Sequence, residues 1–202
     1  DFPRYEGIFE DKDIMISLNG KSKKYGVDRI GTEFAAMNTQ TAILDFAPDL
    51  IINAGTCGAF SEDAQIADIF TTNKPIVFHD HRIPIDENFI EFGKGNYPSI
   101  HNPEYFKDID FKLGVVTTGC SLDMPKVDEE NIRAGHGQVK EMECASIASV
   151  AELYGIDFFP VKSVTDIIDV EVDNVEQFLE NLGKASSKLG EVLIKILTNI
   201  KS

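Results

Sequence analysis

Apolar positions along this chain change period several times, and each change marks an element. Leu50-Ile51-Ile52-Asn53-Ala54 is a nearly unbroken apolar run, the pattern of a strand buried on both faces of a parallel sheet. Residues 14–18, 66–72, 75–78, 113–118 and 157–164 read as further strands, the last with Pro160 near its start. Between them the period lengthens. Residues 31–46 predict a helix with Phe34, Met37, Thr41, Leu44 and Ala47 near one face, ended at Ala47-Pro48 because proline cannot continue it. Residues 142–153 predict another, with Ala145, Ala148 and Ala151 permitting close packing. Asp173 with Glu176 forms a capping box opening a final helix. Its core-facing stripe is Val175, Phe178, Leu179, Leu182, Leu189, Val192, Leu193, Ile196, Leu197 and Ile200.

Alternation of strands and helices predicts a single α/β domain over residues 1–202, with a central mixed or largely parallel sheet flanked by helices. No linker, repeat or low-complexity tract divides it. Ligands of such folds lie outside the carboxyl ends of the strands. Gly55-Thr56-Cys57-Gly58, Gly119-Cys120-Ser121 and Thr165-Asp166 each follow a predicted strand and are expected to converge there.

Charge narrows the partners. A formal net charge of −15 argues against nucleic acid and against an anionic membrane surface. No run of 18 apolar residues predicts a membrane-spanning helix. The three cysteines, Cys57, Cys120 and Cys144, are widely spaced without a C-x-x-C, which reads as reduced thiols of a cytoplasmic protein.

Two acidic residues carry the candidate chemistry. Glu143 follows Met142 at a predicted helix start, where the backbone dipole favours a carboxylate able to accept two hydroxyl hydrogen bonds, as a ribose diol offers. The position equally suits a surface glutamate of a first helical turn. Asp166 ends a predicted buried strand, and burial would raise its pKa so that it could donate a proton. An N-cap or Asx-turn aspartate would also stand there, and Asp169 is the nearby alternative. Asn53-Ala54-Gly55-Thr56-Cys57-Gly58-Ala59 reads as a small-residue turn after the apolar run, either a plain tight turn or a close backbone approach to a ligand. It lacks the Gly-Lys-Ser/Thr of a Walker loop. His79 and His81 point to opposite faces of a strand and do not share a metal ion. There is no G-x-S-x-G nucleophile elbow, and Cys57 and Cys144 have no evident histidine partner.

Residues 26–32, 48–60, 78–85, 118–124, 140–145, 164–166 and 178–182, in this order and spacing, resemble the nucleoside phosphorylase/nucleosidase superfamily. Within it the chain looks most like the plant-type 5′-methylthioadenosine nucleosidases, related to the bacterial methylthioadenosine/S-adenosylhomocysteine nucleosidases. The resemblance implies hydrolysis of the N-glycosidic bond of a 5′-thio-substituted adenosine in methionine salvage, with no metal or organic cofactor. It implies that Asp166 protonates adenine N7 and that Glu143 holds the ribose hydroxyls, with Met142 packed on the sugar. Thr56, Cys57 and Gly58 would line the ribose and water side. Leu122 and Asp123 would contact adenine partly through backbone groups, with Thr165 beside them. A homodimer is implied, in which Ile83, Pro84 and Ile85 reach the 5′-thio group of a neighbouring subunit's ligand.

Three departures accompany the resemblance. Phosphorolytic relatives carry a phosphate-binding arginine where this chain has Asn53, which favours water as nucleophile; Arg29 and Arg82 do not match that motif. The family's opening strand, whose glutamate activates water, has no counterpart, since Glu6 and Glu10 stand in another context; the chain is expected to begin after it. Cys120 stands where relatives often have aspartate. A phosphorylase and a non-catalytic purine-binding protein are the alternatives.

Overall fold

A computed structural model describes residues 2–171 and 174–201. Its centre is a mixed eight-stranded sheet built from β3 (Leu50–Ala59), β4 (Ile69–Thr71), β5 (Ile76–Phe78), β6 (Gly95–Tyr97), β7 (Lys112–Leu113), β8 (Val115–Thr118), β9 (Gly137–Glu141) and β10 (Asp157–Ile167). Their order is β6-β5-β8-β9-β3-β10-β4-β7. A separate hairpin, β1 (Arg4–Phe9) with β2 (Lys12–Ser17), precedes it. The helices are α1 (Thr32–Phe46), α2 (Glu87–Lys94), α3 (Lys126–Ala134), α4 (Cys144–Tyr154) and α5 (Asn174–Asn199).

The pleat of β10 divides the core. Phe158 and Val164 join Cys144, Ala145, Ala148 and Ala151 of α4 on one face. Phe159 and Val161 meet Leu189, Val192 and Ile196 of α5 on the other. The small alanines let α4 lie close against the sheet, as their spacing predicts. The last helix departs from its predicted stripe. Its carboxyl half is core, but Val175, Leu179 and Leu182 are exposed. Gln177 and Asn181 anchor the amino half instead, by hydrogen bonds to the main chain of Ile167 and Thr165. Polar side chains serve there because α5 crosses the end of β10, where main-chain groups need partners. Glu176 lies in the first turn of α5, whereas Asp173 of the expected capping box lies outside the described residues.

In α1 the expected face is the outer one. Ala35, Asn38, Thr39 and Ile43 are buried, whereas Phe34, Met37 and Leu44 are exposed. Close packing of α1 on α4 selects the smaller residues. The helix ends at Ala47 in the left-handed region, before Pro48.

Two further corrections concern β3. The segment Gly55–Ala59 is not a turn: the strand continues to Ala59, paired in parallel with β10. Gly58 keeps it close to β10, since a Cβ there would collide with Ile168 and approach Asp166 Oδ2 to 2.8 Å. Nor is the apolar run buried on both faces. Residues 50–53 are half-buried and Ala54 is exposed. The other edge of β3 pairs only at Gly58 and Ala59, with Lys140 and Val139 of β9. Beside the remaining open edge runs a groove of about 740 Å³, bounded by β2, α1, β3 and α5 and reaching Gly55, Glu143 and Lys162.

Candidate active site

The short β3–β9 pairing positions the site. β5, β8 and β9 run parallel to one another, and β3 runs parallel to β10, but β9 and β3 are antiparallel and overlap only over their last residues. The carboxyl ends of both strand groups therefore meet at one seam, Val139-Lys140 against Gly58-Ala59.

Asp166 stands at this seam, inside β10 rather than after it. The register with β3 slips between Val164, opposite Cys57, and Asp166, opposite Gly58. Thr165 is the extra residue of this bulge, and bulges re-aim the side chains beside them. The Thr165 hydroxyl lies 2.9 Å from Asp166 Oδ1 and 3.2 Å from the Cys57 carbonyl oxygen, to either of which it can donate. Burial raises Asp166 above the ordinary carboxylate range, against opposing contributions from the Thr165 hydrogen bond and the Lys140 ammonium. This is the direction a proton donor requires.

Glu143 is the N-cap residue of α4 but makes no side-chain cap. Its Oε1 accepts from the Gly31 amide at 2.9 Å, joining it to the loop before α1. The free amides of the helix start are taken by Glu141, whose Oε2 accepts from Glu143 N at 3.0 Å and Cys144 N at 2.8 Å. Glu143 thus stands at the helix start, but its carboxylate accepts from Gly31 and not from the helix's own amides. Burial, and next the charge of Glu141, raise its pKa, although the Gly31 amide favours the charged form. Glu141 in turn pairs with Lys162 Nζ at 2.8 Å and accepts from the Thr118 hydroxyl. Both members of this ion pair are buried.

The structure gathers Cys57, Gly58, Thr165 and Asp166 at the seam. Lys140 draws Leu122 and Asp123 toward it, its ammonium donating to their carbonyl oxygens, at 3.1 Å for Leu122. The side chains of Leu122 and Asp123 are exposed, so their backbone is what the seam holds. Thr56 is half-buried opposite Ser163, and Met142 is half-buried immediately before Glu143. Asp169 is occupied elsewhere, accepting from the Ser61 amide and hydroxyl. The Cys120 amide donates to Asp80 Oδ2 at 2.6 Å, and its thiol lies 3.6 Å from Thr32 Oγ1. Burial raises all three thiols, so Cys57 and Cys144 are poor nucleophiles.

His79 is buried with Nδ1 3.2 Å from Thr117 Oγ1, while His81 packs on the Phe78 ring. Among the described residues no group of three or more His, Cys, Asp or Glu could hold a metal ion, and no helix is long and apolar enough to cross a membrane. Arg29 Nη1 donates to the Asn19 carbonyl, and its guanidinium lies over the Phe34 ring.

Sequence reasoning assigned no role to Lys140, Glu141, Lys162 or Gly31. Lys162 had a signal: a lysine amid Val161, Ser163 and Val164 of a buried strand requires a buried acid. Gly31 had none, because its amide meets Glu143 across 112 positions of sequence.

A sheet whose two strand groups meet carboxyl end to carboxyl end, with acids on both sides of the meeting point, agrees with the family comparison. The chain belongs to the phosphorylase superfamily, whose family model matches residues 1–198. It is 39% identical over 194 residues to the 5′-methylthioadenosine/S-adenosylhomocysteine nucleosidase of Arabidopsis thaliana, covering 96% of this chain and 76% of that protein. A 5′-methylthioadenosine nucleosidase of the same plant is 38% identical over 197 residues, 97% of this chain and 73% of the relative. The solved apo structure of Arabidopsis thaliana 5′-methylthioadenosine nucleosidase superposes with a TM-score of 0.93 at 37% identity, over 98% of this chain and 80% of that one.

Proposed function

We propose that the protein hydrolyses the N-glycosidic bond of 5′-methylthioadenosine to adenine and a thioribose. The observation that carries this reading is Asp166, buried at the strand seam opposite Gly58, where burial raises its pKa from the ordinary carboxylate value. Adenine would be gripped on the Asp166 side, against the Leu122 and Asp123 backbone. Asp166 gives its proton to N7 as the C1′–N9 electron pair passes into the purine, which makes adenine a neutral leaving group. Glu143 accepts the ribose hydroxyls and stabilises the cationic sugar, on which Met142 packs. Thr56 and Gly58 line the sugar and water side. Water adds to C1′ and gives up one proton to a base. For that base the resemblance expects a glutamate on an opening strand; the groove beside β3 is lined at one point by Gly55, Glu143 and Lys162.

Self-association and a cytoplasmic setting belong to the same proposal. The outward residues Phe34, Met37 and Leu44 of α1 and the exposed Ile85 support a homodimer, which light scattering would test. Three free thiols support a reducing compartment. The test of the activity is adenine release from 5′-methylthioadenosine in phosphate-free buffer. Turnover without phosphate is expected. Strict dependence on phosphate would replace the reading with a phosphorylase, and tight adenine binding with no turnover would replace it with a purine-binding protein.

A further inference from the structure

We infer that Lys140 is a positioning residue of the adenine side of the site, clamping the Leu122–Asp123 backbone to the strand that faces Asp166. The inference rests on the reading proposed above. Two buried lysines stand near the seam, and their partners differ. Lys162 has a buried carboxylate, Glu141, at 2.8 Å. Lys140 is 4% exposed and makes no ion pair within 4.0 Å among the described residues. Its Nζ donates to two main-chain carbonyls, of Leu122 and of Asp123. A buried ammonium without a close counter-ion is costly, and an apolar side chain of similar length would serve the core better. The charge is therefore placed for what it holds.

What it holds is a loop with little other anchorage. Residues 119–125 contain no helix or strand, and Leu122, Asp123 and Pro125 are exposed. Asn131 and the Cys120 amide tie the neighbouring backbone to His79 and Asp80. Lys140 ties the next residues across to β9, where it stands directly opposite Gly58 of β3, itself opposite Asp166 of β10. With the Gly119 amide fixed on the Glu141 carbonyl, Lys140 sets the spacing between the Leu122–Asp123 backbone that would bear the adenine and the acid that would protonate it. Charges facing Lys140 come from Asp80, Asp123, Asp128 of α3 and Asp166 of β10. Those facing Asp166 are Lys140 of β9 and the neutral Cys57 thiol of β3, beside the Thr165 hydroxyl. Because the ammonium favours ionised Asp166, its loss would let Asp166 keep its proton to higher pH.

The experiment compares Lys140→Met and Lys140→Arg with the unaltered chain by adenine calorimetry and by pH profiles of 5′-methylthioadenosine hydrolysis. Lys140→Met is expected to weaken adenine binding at least tenfold, raise KM, and move the alkaline limb of the profile to higher pH. Lys140→Arg should keep the limb in place while KM still rises, because the wider guanidinium cannot seat on both carbonyls. If Lys140→Met does not fold, the arginine variant decides: an unchanged KM and adenine affinity overturn the inference. A folded Lys140→Met that loses thermal stability but keeps adenine affinity, KM and pH limb also overturns it, while leaving the proposed activity standing. Failure of the unaltered chain to bind adenine would instead remove the activity reading and this inference together.

Discussion

β3 and β10 lie side by side in register for ten residue pairs, yet their surroundings are opposite. β10 is buried without a break from Phe158 to Asp166, whereas β3 is half-open from Leu50 to Thr56 and becomes buried only at Cys57. Both carry apolar sequences. The difference lies in their neighbours: β10 is closed over by β4 and α5, while the free edge of β3 borders a groove of about 740 Å³. Apolar sequence states what a strand tolerates; the pairing of its edges decides what it gets. The two strands converge in character only at the seam, where β9 closes the β3 edge and Asp166 and Gly58 come opposite each other.

The largest effect is expected at the closed end: Asp166→Asn should lower kcat for 5′-methylthioadenosine by about 10²–10⁴-fold, the usual worth of a general acid. Its stability should move the other way. A carboxyl whose folded pKa is raised contributes stability that is full below the unfolded value and is lost as pH rises through the folded one, so near neutrality the asparagine variant should melt no lower than the parent. Melting curves and initial rates on the same samples check both signs.

Next in size is Glu141→Gln, which leaves Lys162 charged and unpaired in the interior. A loss of about 3–5 kcal/mol in denaturant unfolding is expected. A loss under about 1 kcal/mol would mean that the pair is hydrated. The register pair Phe159 and Ile52 tests the contrast most cleanly. Phe159→Ala should cost about 3–5 kcal/mol, and Ile52→Ala, half-exposed to the groove, below about 2 kcal/mol. Equal costs would show that the groove closes in solution. The smallest effect is kinetic: amides of residues 50–54 should exchange with solvent faster than those of residues 158–164.

Much of this was legible beforehand. Alternation gave the fold class, and Ala145, Ala148 and Ala151 gave the close face of α4, because period and residue size are local properties. The outward face of α1 was not legible, since Phe34, Met37 and Leu44 match a core stripe as well as an interface does. The continuation of β3 through Gly55 and Gly58 was hidden for a related reason: glycines that admit Lys162 and Asp166 from the neighbouring strand look like turn glycines. Asp166 and Glu143 stood out in sequence, but Lys140, Glu141 and Gly31 act through partners that only the sheet seam brings near.

The central claim is that Asp166 and Glu143 grip opposite halves of one nucleoside. A crystal structure with a non-hydrolysable analogue of 5′-methylthioadenosine tests it most directly. The account predicts Asp166 within about 3 Å of purine N7 and Glu143 within about 3 Å of the ribose hydroxyls, in the same ligand. An analogue bound with either carboxylate out of reach of its half, or seated away from the Gly58–Lys140 seam, would contradict it.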